Sequence, residues 1–354
     1  MSTEDDRLEE RILLPASQAR LVGHEQAREQ VLRAFAGGRP HHAWLISGAP
    51  GVGKATLAWH LARLLLAFPG ESIAEAPVEG VVADHPVFHQ LAAGAHPDFF
   101  LLRRSRDKKG RLRARMAVED ARALGHFLSL KAGLGGRRVV VVDVADEMNR
   151  ETANAILKVL EEPPEETFFF LLAHAPGRLL PTIRSRCLHV PLSALSSEQV
   201  RAALEGLEAL EEVAPERLEA AIAQSAGAPG RALDLATSGA PELWREVERV
   251  LAAGPGEPGA ARQAVFGRVA QALGQKQARA DFPLFCELME QWLHRRMQEA
   301  ARAGHTAQAA RLADVLADMR ERLGALEAVN LDRRQFVVGV LGRVARLMEL
   351  SSAG

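Results

Sequence analysis

The chain has 354 residues, enough for two or three domains around an ample core. Its 44 basic and 45 acidic residues leave a formal net charge of −1, so bulk charge singles out no polyanionic partner and any nucleic-acid contact has to come from a local patch. Two cysteines, Cys187 and Cys286, exclude a disulfide framework and a four-thiolate zinc site; the polar, acidic stretch Met1 to Asp6 is unlike a signal peptide, and the short apolar runs predict no transmembrane helix, so a cytoplasmic protein with no membrane partner is expected.

In chain order, Ala43–Ser47 is a short apolar run that ends at a glycine loop. A helix is expected over Thr56–Ala67, with Leu57, Leu61, Leu64 and Leu65 on its apolar face. Asp98–Leu102 reads as a strand, Val118–Leu130 as a helix, Arg138–Asp143 as a fully buried strand and Asn149–Glu162 as a helix with Asn149 as its cap. Strands at Thr167–Leu172 and Cys187–Pro191 follow. Apolar runs alternating with amphipathic helices predict a doubly wound parallel α/β sheet covered on both faces. From about Ser196 the strand signals stop. Helices opening at Ser197, over Ala214–Ser225 and over Gly230–Thr237 predict a small helical lid. After a break at Gly239–Pro241, four or five helices make an all-α region, with loops at Ala253–Gly259 and Ala303–Gly304. The expected division is 1–192 for the core, 193–240 for the lid and 241–354 for the helical region. Stripes such as Leu312, Val315, Leu316 and Met319, then Phe336, Val337, Val340, Leu341 and Val344, read as the core of a helical bundle.

Gly48, Gly51, Gly53 and Lys54 form a G-x4-G-K phosphate loop between a strand and a helix, the context that motif needs. Glycines let backbone N–H groups turn in around phosphates, the helix start adds positive potential, and Lys54 can reach the terminal phosphates. ATP or ADP is the implied ligand; a glycine-rich turn without a ligand is the plainer alternative. The next residue is Ala55, where a magnesium-binding hydroxyl is usual. Thr56 lies about 100° further around the helix and points elsewhere, so magnesium binding is weakened.

Asp143 ends the buried strand, where such a carboxylate approaches the metal; a strand-end cap is the alternative. A glutamate that activates water usually follows, and here Val144 stands in that place. Glu147 is a remote substitute. Without a positioned base the rate is expected to fall by about two to four orders of magnitude. Further on, Ser185-Arg186-Cys187 carries an arginine able to stabilise charge on a transferring γ-phosphate, although spacing alone favours a salt-bridged surface residue, and Arg184 stands beside it. Asn154 and Lys158 lie off the apolar face of their helix and read as solvated.

The strings His41-His-Ala-Trp-Leu45, His96-Pro-Asp-Phe-Phe100, Ala153-Asn-Ala-Ile-Leu-Lys-Val-Leu-Glu-Glu-Pro-Pro164 and Leu179-Leu-Pro-Thr-Ile-Arg-Ser-Arg-Cys187 resemble the clamp-loader branch of the AAA+ ATPases. The likeness is strong over about 20–190, looser in the lid and architectural beyond it. It implies an AAA+ core and a pentameric loader of three ATPase subunits, a delta subunit and a chain of this kind, acting on a ring-shaped sliding clamp and on primed DNA through backbone contacts. By the same resemblance Arg186 corresponds to an arginine finger presented to a neighbour's ATP site, Arg231 in Gly227-Ala-Pro-Gly-Arg231 to the second sensor arginine, and the C-terminal helices to an assembly collar. This sequence departs from the pattern at Ala173, where the family has a polar first sensor. It also lacks the four-cysteine zinc module of many relatives; His85, His89 and His96 do not replace it, and no zinc is expected.

Arg103–Arg115 holds eight basic residues and one acid, a hairpin-like insertion that reads either as a grip on phosphate or as a solvated loop. With no tyrosine in the chain, a base-stacking surface is disfavoured. The leading expectation is thus a loader subunit with little hydrolysis of its own. The rivals are an ATP-hydrolysing motor subunit and a small-molecule P-loop kinase.

Overall fold

A computed structural model of the chain describes residues 15–36, 40–68, 73, 80–105, 113, 115–134, 136–253, 259–275, 281–329 and 332–352. Of the basic insertion, 106–112 and 114 lie outside the described residues. Two compact units divide the chain at Ala236/Thr237.

The first unit contains α1 (Glu25–Ala36), β1 (Ala43–Ser47), α2 (Lys54–Ala67), α3 (Pro86–Ala92), β2 (Phe99–Arg103), α4 (Val118–Ser129), β3 (Arg138–Asp143), α5 (Arg150–Glu161), β4 (Thr167–Ala173), α6 (Pro181–Arg184) and β5 (Leu188–Pro191). The strands form one parallel sheet in the order β2-β3-β4-β1-β5. Side chains of a strand alternate between faces, and β3 shows this directly: Val139 and Val141 join one apolar core with Leu57, Leu61 and Leu64 of α2, while Val140 and Val142 join the other with Ile156 and Leu160 of α5. Both faces being covered, the strands can be apolar throughout, and β4 is buried at every position.

Helix starts follow local chemistry. Asn149 caps α5 by accepting the Thr152 N–H at 2.7 Å. Replacing it with Ala is expected to lower the unfolding free energy by about 1 kcal/mol, read from the urea midpoint at unchanged slope. Helix α2 begins at Lys54, two residues before the expected Thr56, because the loop itself becomes the first turn: Leu57 N–H already bonds to the Gly53 carbonyl at 3.0 Å. Beneath α2, buried Arg63 donates to the carbonyls of Gln18 at 2.6 Å, Pro15 at 3.0 Å and Ala16 at 2.8 Å.

After the sheet come α7 (Ser197–Leu204), α8 (Pro215–Gln224) and α9 (Pro229–Thr237). They close over Val200, Leu204, Ile222, Ala232 and Leu233. Ser196 and Gln199 form a reciprocal capping box at the start of α7.

The second unit is all helical among its described residues: α10 (Ala240–Ala252), α11 (Gly259–Leu273), α12 (Asp281–Arg302), α13 (Thr306–Val329) and α14 (Arg333–Ser352). Trp244 packs edge-on against Phe285 and Trp292, with ring centroids 5.5 and 6.0 Å away. Leu312, Val315, Leu316 and Met319 are buried, as are Phe336, Val337, Val340, Leu341 and Val344. Among the described residues no helix is long and apolar enough to cross a membrane.

Candidate functional site

The loop after β1 is fixed at both ends. Gly48 N–H donates to the Ala173 carbonyl at 3.2 Å, tying the loop to the end of β4. At the tip, Gly51 has φ of 74°, and a Cβ there would stand 2.7 Å from the backbone nitrogen of Arg231. A side chain is barred on both counts. The contact arises because Gly230 N–H, at the start of α9, donates to the Gly51 carbonyl at 2.9 Å. The lid thereby brings the start of α9, with Gly230 and Arg231, against the phosphate loop.

Lys54 is 5% exposed, and its Nζ donates to the carbonyls of Gly48 and Ala49, both at 2.8 Å. Burial pushes its pKa down to about 8, against the pull of Asp143 and Asp146. Ala55 packs beside the apolar core and offers no hydroxyl, and Thr56 is half-buried on the first turn of α2.

Asp143 lies on the same face of β3 as Val141, the face that α2 covers. Burial raises its pKa while Lys54, Arg103 and Arg104 oppose that rise. The other nearby carboxylates are committed. Asp146 accepts N–H groups of His174 at 2.9 Å and Ala175 at 3.2 Å, stitching the turn after β3 to the end of β4. Glu147 lies in the 3-10 turn Ala145–Glu147 and pairs with Arg104 at 2.9 Å. Ala173 is fully buried, and His174 is the polar neighbour of the loop, hydrogen-bonded to Gly48. Burial first, then the Lys54 charge, lower the His174 pKa against the pull of Asp146.

Arg186 sits elsewhere. Strands β1 and β5 are parallel, with Trp44 level with Leu188 and Ser47 with Pro191. Arg186 therefore precedes the amino-terminal end of β5, whereas the loop follows the carboxyl end of β1. From the level of Leu188 to Gly48 is four residues of strand, roughly 13 Å. Arg186 is held by Glu161 at 2.8 Å and by the Thr182 carbonyl at 3.0 Å, with its side chain 36% exposed. Arg184 is exposed, and Cys187 is tucked against the α5-side core, where burial lifts its thiol pKa to about 12. Asn154 and Lys158 are exposed on α5.

The histidines have local roles. His85 caps α3 by accepting the Val87 N–H, and His96 accepts the Asp98 N–H at 3.1 Å. Among the described residues no three or more His, Cys, Asp or Glu come together as a metal site.

One residue beside Asp143 is hidden when the chain is read as a sequence. Arg103 was grouped there with the basic insertion, but it is the last residue of β2 and stands in register with Asp143. The alternation of Phe99 and Leu101, both packed on the α2-side core, carries the signal that puts it on the loop face.

Residues 23–196 match the family model described as DNA polymerase III, delta subunit. The chain is 38% identical over 228 residues to DNA polymerase III subunit delta' of Pseudomonas aeruginosa, covering 62% of this chain and 63% of that protein. It is 37% identical over 208 residues to the Escherichia coli K12 subunit delta', with 58% of each chain covered. The Escherichia coli subunit tau is 34% identical over 202 residues, 57% of this chain and 29% of that one. Among solved structures, a gamma-subunit-related DNA polymerase III protein from Thermotoga maritima has 16% identity and a TM-score of 0.42, covering 91% of this chain and 99% of that one. The chain thus spans about three fifths of the length of the delta' relatives, 63% and 58%. Over residues 23–196 the chain is similar to the delta' subunits of DNA polymerase III.

Proposed function

We propose that this chain is a clamp-loader subunit that completes a neighbouring subunit's ATP site with Arg186 and hydrolyses little or no ATP itself. Its partners are the ATPase subunits and delta, and the loaded complex acts on the sliding clamp and on the backbone of primed DNA. The observation that carries the reading is the position of Arg186. It stands at the opposite end of parallel strands from its own phosphate loop, beyond the reach of one side chain, so a nucleotide that it serves belongs to another molecule. Glu161 and the Thr182 carbonyl hold it partly exposed. A planar, permanently charged fork suits a γ-phosphate in the transition state.

The chain's own loop supports binding more than turnover. Gly48, Gly51, Gly53, Lys54 and the start of α2 would hold the phosphates of ATP or ADP, with Arg231 brought beside the loop by α9. Val144 supplies no base, and Glu147, the remaining candidate, is engaged by Arg104. The purified chain alone is expected to turn over ATP at least about a hundredfold more slowly than an ATPase subunit of the same loader. Steady-state phosphate release measures this; turnover comparable to that of the ATPase subunit would favour the motor reading.

A further inference from the structure

We propose that the Gly48–Gly53 loop takes a nucleoside polyphosphate without a divalent cation, and that Arg103 supplies positive charge where a metal would otherwise lie. This rests on the reading of the loop as a nucleotide site and names the form in which the ligand arrives.

The residues present do not fit magnesium. A hard cation needs oxygen ligands in a near-octahedral set, commonly a loop hydroxyl and a carboxylate beside the phosphates. Ala55 provides no hydroxyl. Of the three nearby carboxylates, Asp146 receives two backbone N–H groups and Glu147 is paired with Arg104. Asp143 remains, and it stands among the charges of Lys54, Arg103 and Arg104. A divalent ion beside Asp143 would share that carboxylate with the charges of Lys54, Arg103 and Arg104.

The same surroundings fit a polyanion. Arg103 ends β2 level with Asp143, on the face that α2 covers. Its Nη1 is sealed from solvent and has no hydrogen-bond partner among the described residues. A buried guanidinium N–H without an acceptor carries its full desolvation cost, which a phosphate oxygen would relieve. Its planar fork matches phosphate geometry, and Lys54 acts on the same Asp143 carboxylate. Arg103 thus does for the phosphate chain's charge what a metal does elsewhere, but without a Lewis-acidic centre. Such a site would retain a nucleotide rather than cleave it.

The test is calorimetric titration of ATP into the full chain, once in EDTA and once in excess magnesium. The expected result is binding in EDTA at least as tight as in magnesium. Arg103→Gln should weaken the EDTA affinity by about tenfold or more, with circular dichroism unchanged. The wild-type comparison needs no variant, so a poorly folding Arg103→Gln leaves the main result intact. Binding that requires magnesium overturns this inference and leaves the nucleotide site standing. No binding under either condition overturns both. Binding in EDTA that is indifferent to a folded Arg103→Gln removes Arg103 from the site.

Discussion

Between pH 7 and pH 4 the wild-type chain is expected to lose about 3 kcal/mol of stability that a His60→Gln variant does not lose. His60 is 2% exposed in α2, and Arg28 Nε donates to its Nε2 at 3.1 Å, so that nitrogen must carry a lone pair. Arg63 is the second cation facing it. Gly80 closes the ring in: its φ is 84°, and a Cβ there would stand 2.4 Å from the imidazole. Burial, then the charges of Arg28 and Arg63, push the His60 pKa from 6.5 down to about 4. A folded-state pKa below the unfolded one favours the neutral ring in the fold. That stability is fully present above pH 6.5 and drains away as pH falls through 4. Other groups titrate over the same range in both proteins, so the difference between the two curves is what counts. Urea unfolding of wild type and His60→Gln at several pH values measures it. Parallel curves would mean that the ring is protonated in the native state without penalty.

The same helix shows what a sequence conveys and what it hides. Its apolar positions Leu57, Leu61 and Leu64 are all fully buried, and the strands Ala43–Ser47 and Arg138–Asp143 have the ends that their apolar runs predict. Those signals are local: each element's composition reports the layer that covers it. His60 and Arg63 give no such signal, because their burial depends on carbonyls from Pro15 to Gln18 and on a distant Arg28. Helix α1 carries its apolar face on Ala27, Val31, Leu32 and Phe35, with the buried Arg28 as its one charged member. Helix α3 is only seven residues long and starts from its His85 cap.

The candidate site is marked in the sequence only in part. The glycines, Lys54 and Asp143 announce themselves by spacing, and Ala55 and Val144 by the residue types they displace. Arg103 does not, because its neighbours in sequence are other basic residues, while its neighbour in space is Asp143 through β-sheet register. The tie from Asp146 to His174 and Ala175 is likewise a long-range backbone contact with no sequence mark. For Arg186 the family resemblance suggested a role, and the direction of β5 supplies the reason it cannot serve its own loop.

That arginine carries the second large expected effect. Removing a transition-state arginine supplied in trans costs about three to five orders of magnitude at the site it serves. Arg186→Ala should therefore silence the neighbouring ATP site while leaving the chain folded, because the lost contacts to Glu161 and Thr182 are at the surface and worth little. Where loading requires every site to fire, clamp loading falls further than total ATP turnover. Arg186→Lys, which keeps the charge and loses the planar fork, should recover only part of the rate.

The most direct measurement is clamp- and primed-DNA-stimulated ATP hydrolysis by the reconstituted loader, comparing wild type with Arg186→Ala at matched assembly. Loss of one site's share of turnover or more, with the complex intact by size-exclusion chromatography, is the predicted result. Undiminished turnover from an intact complex would contradict the account and leave the chain a scaffold.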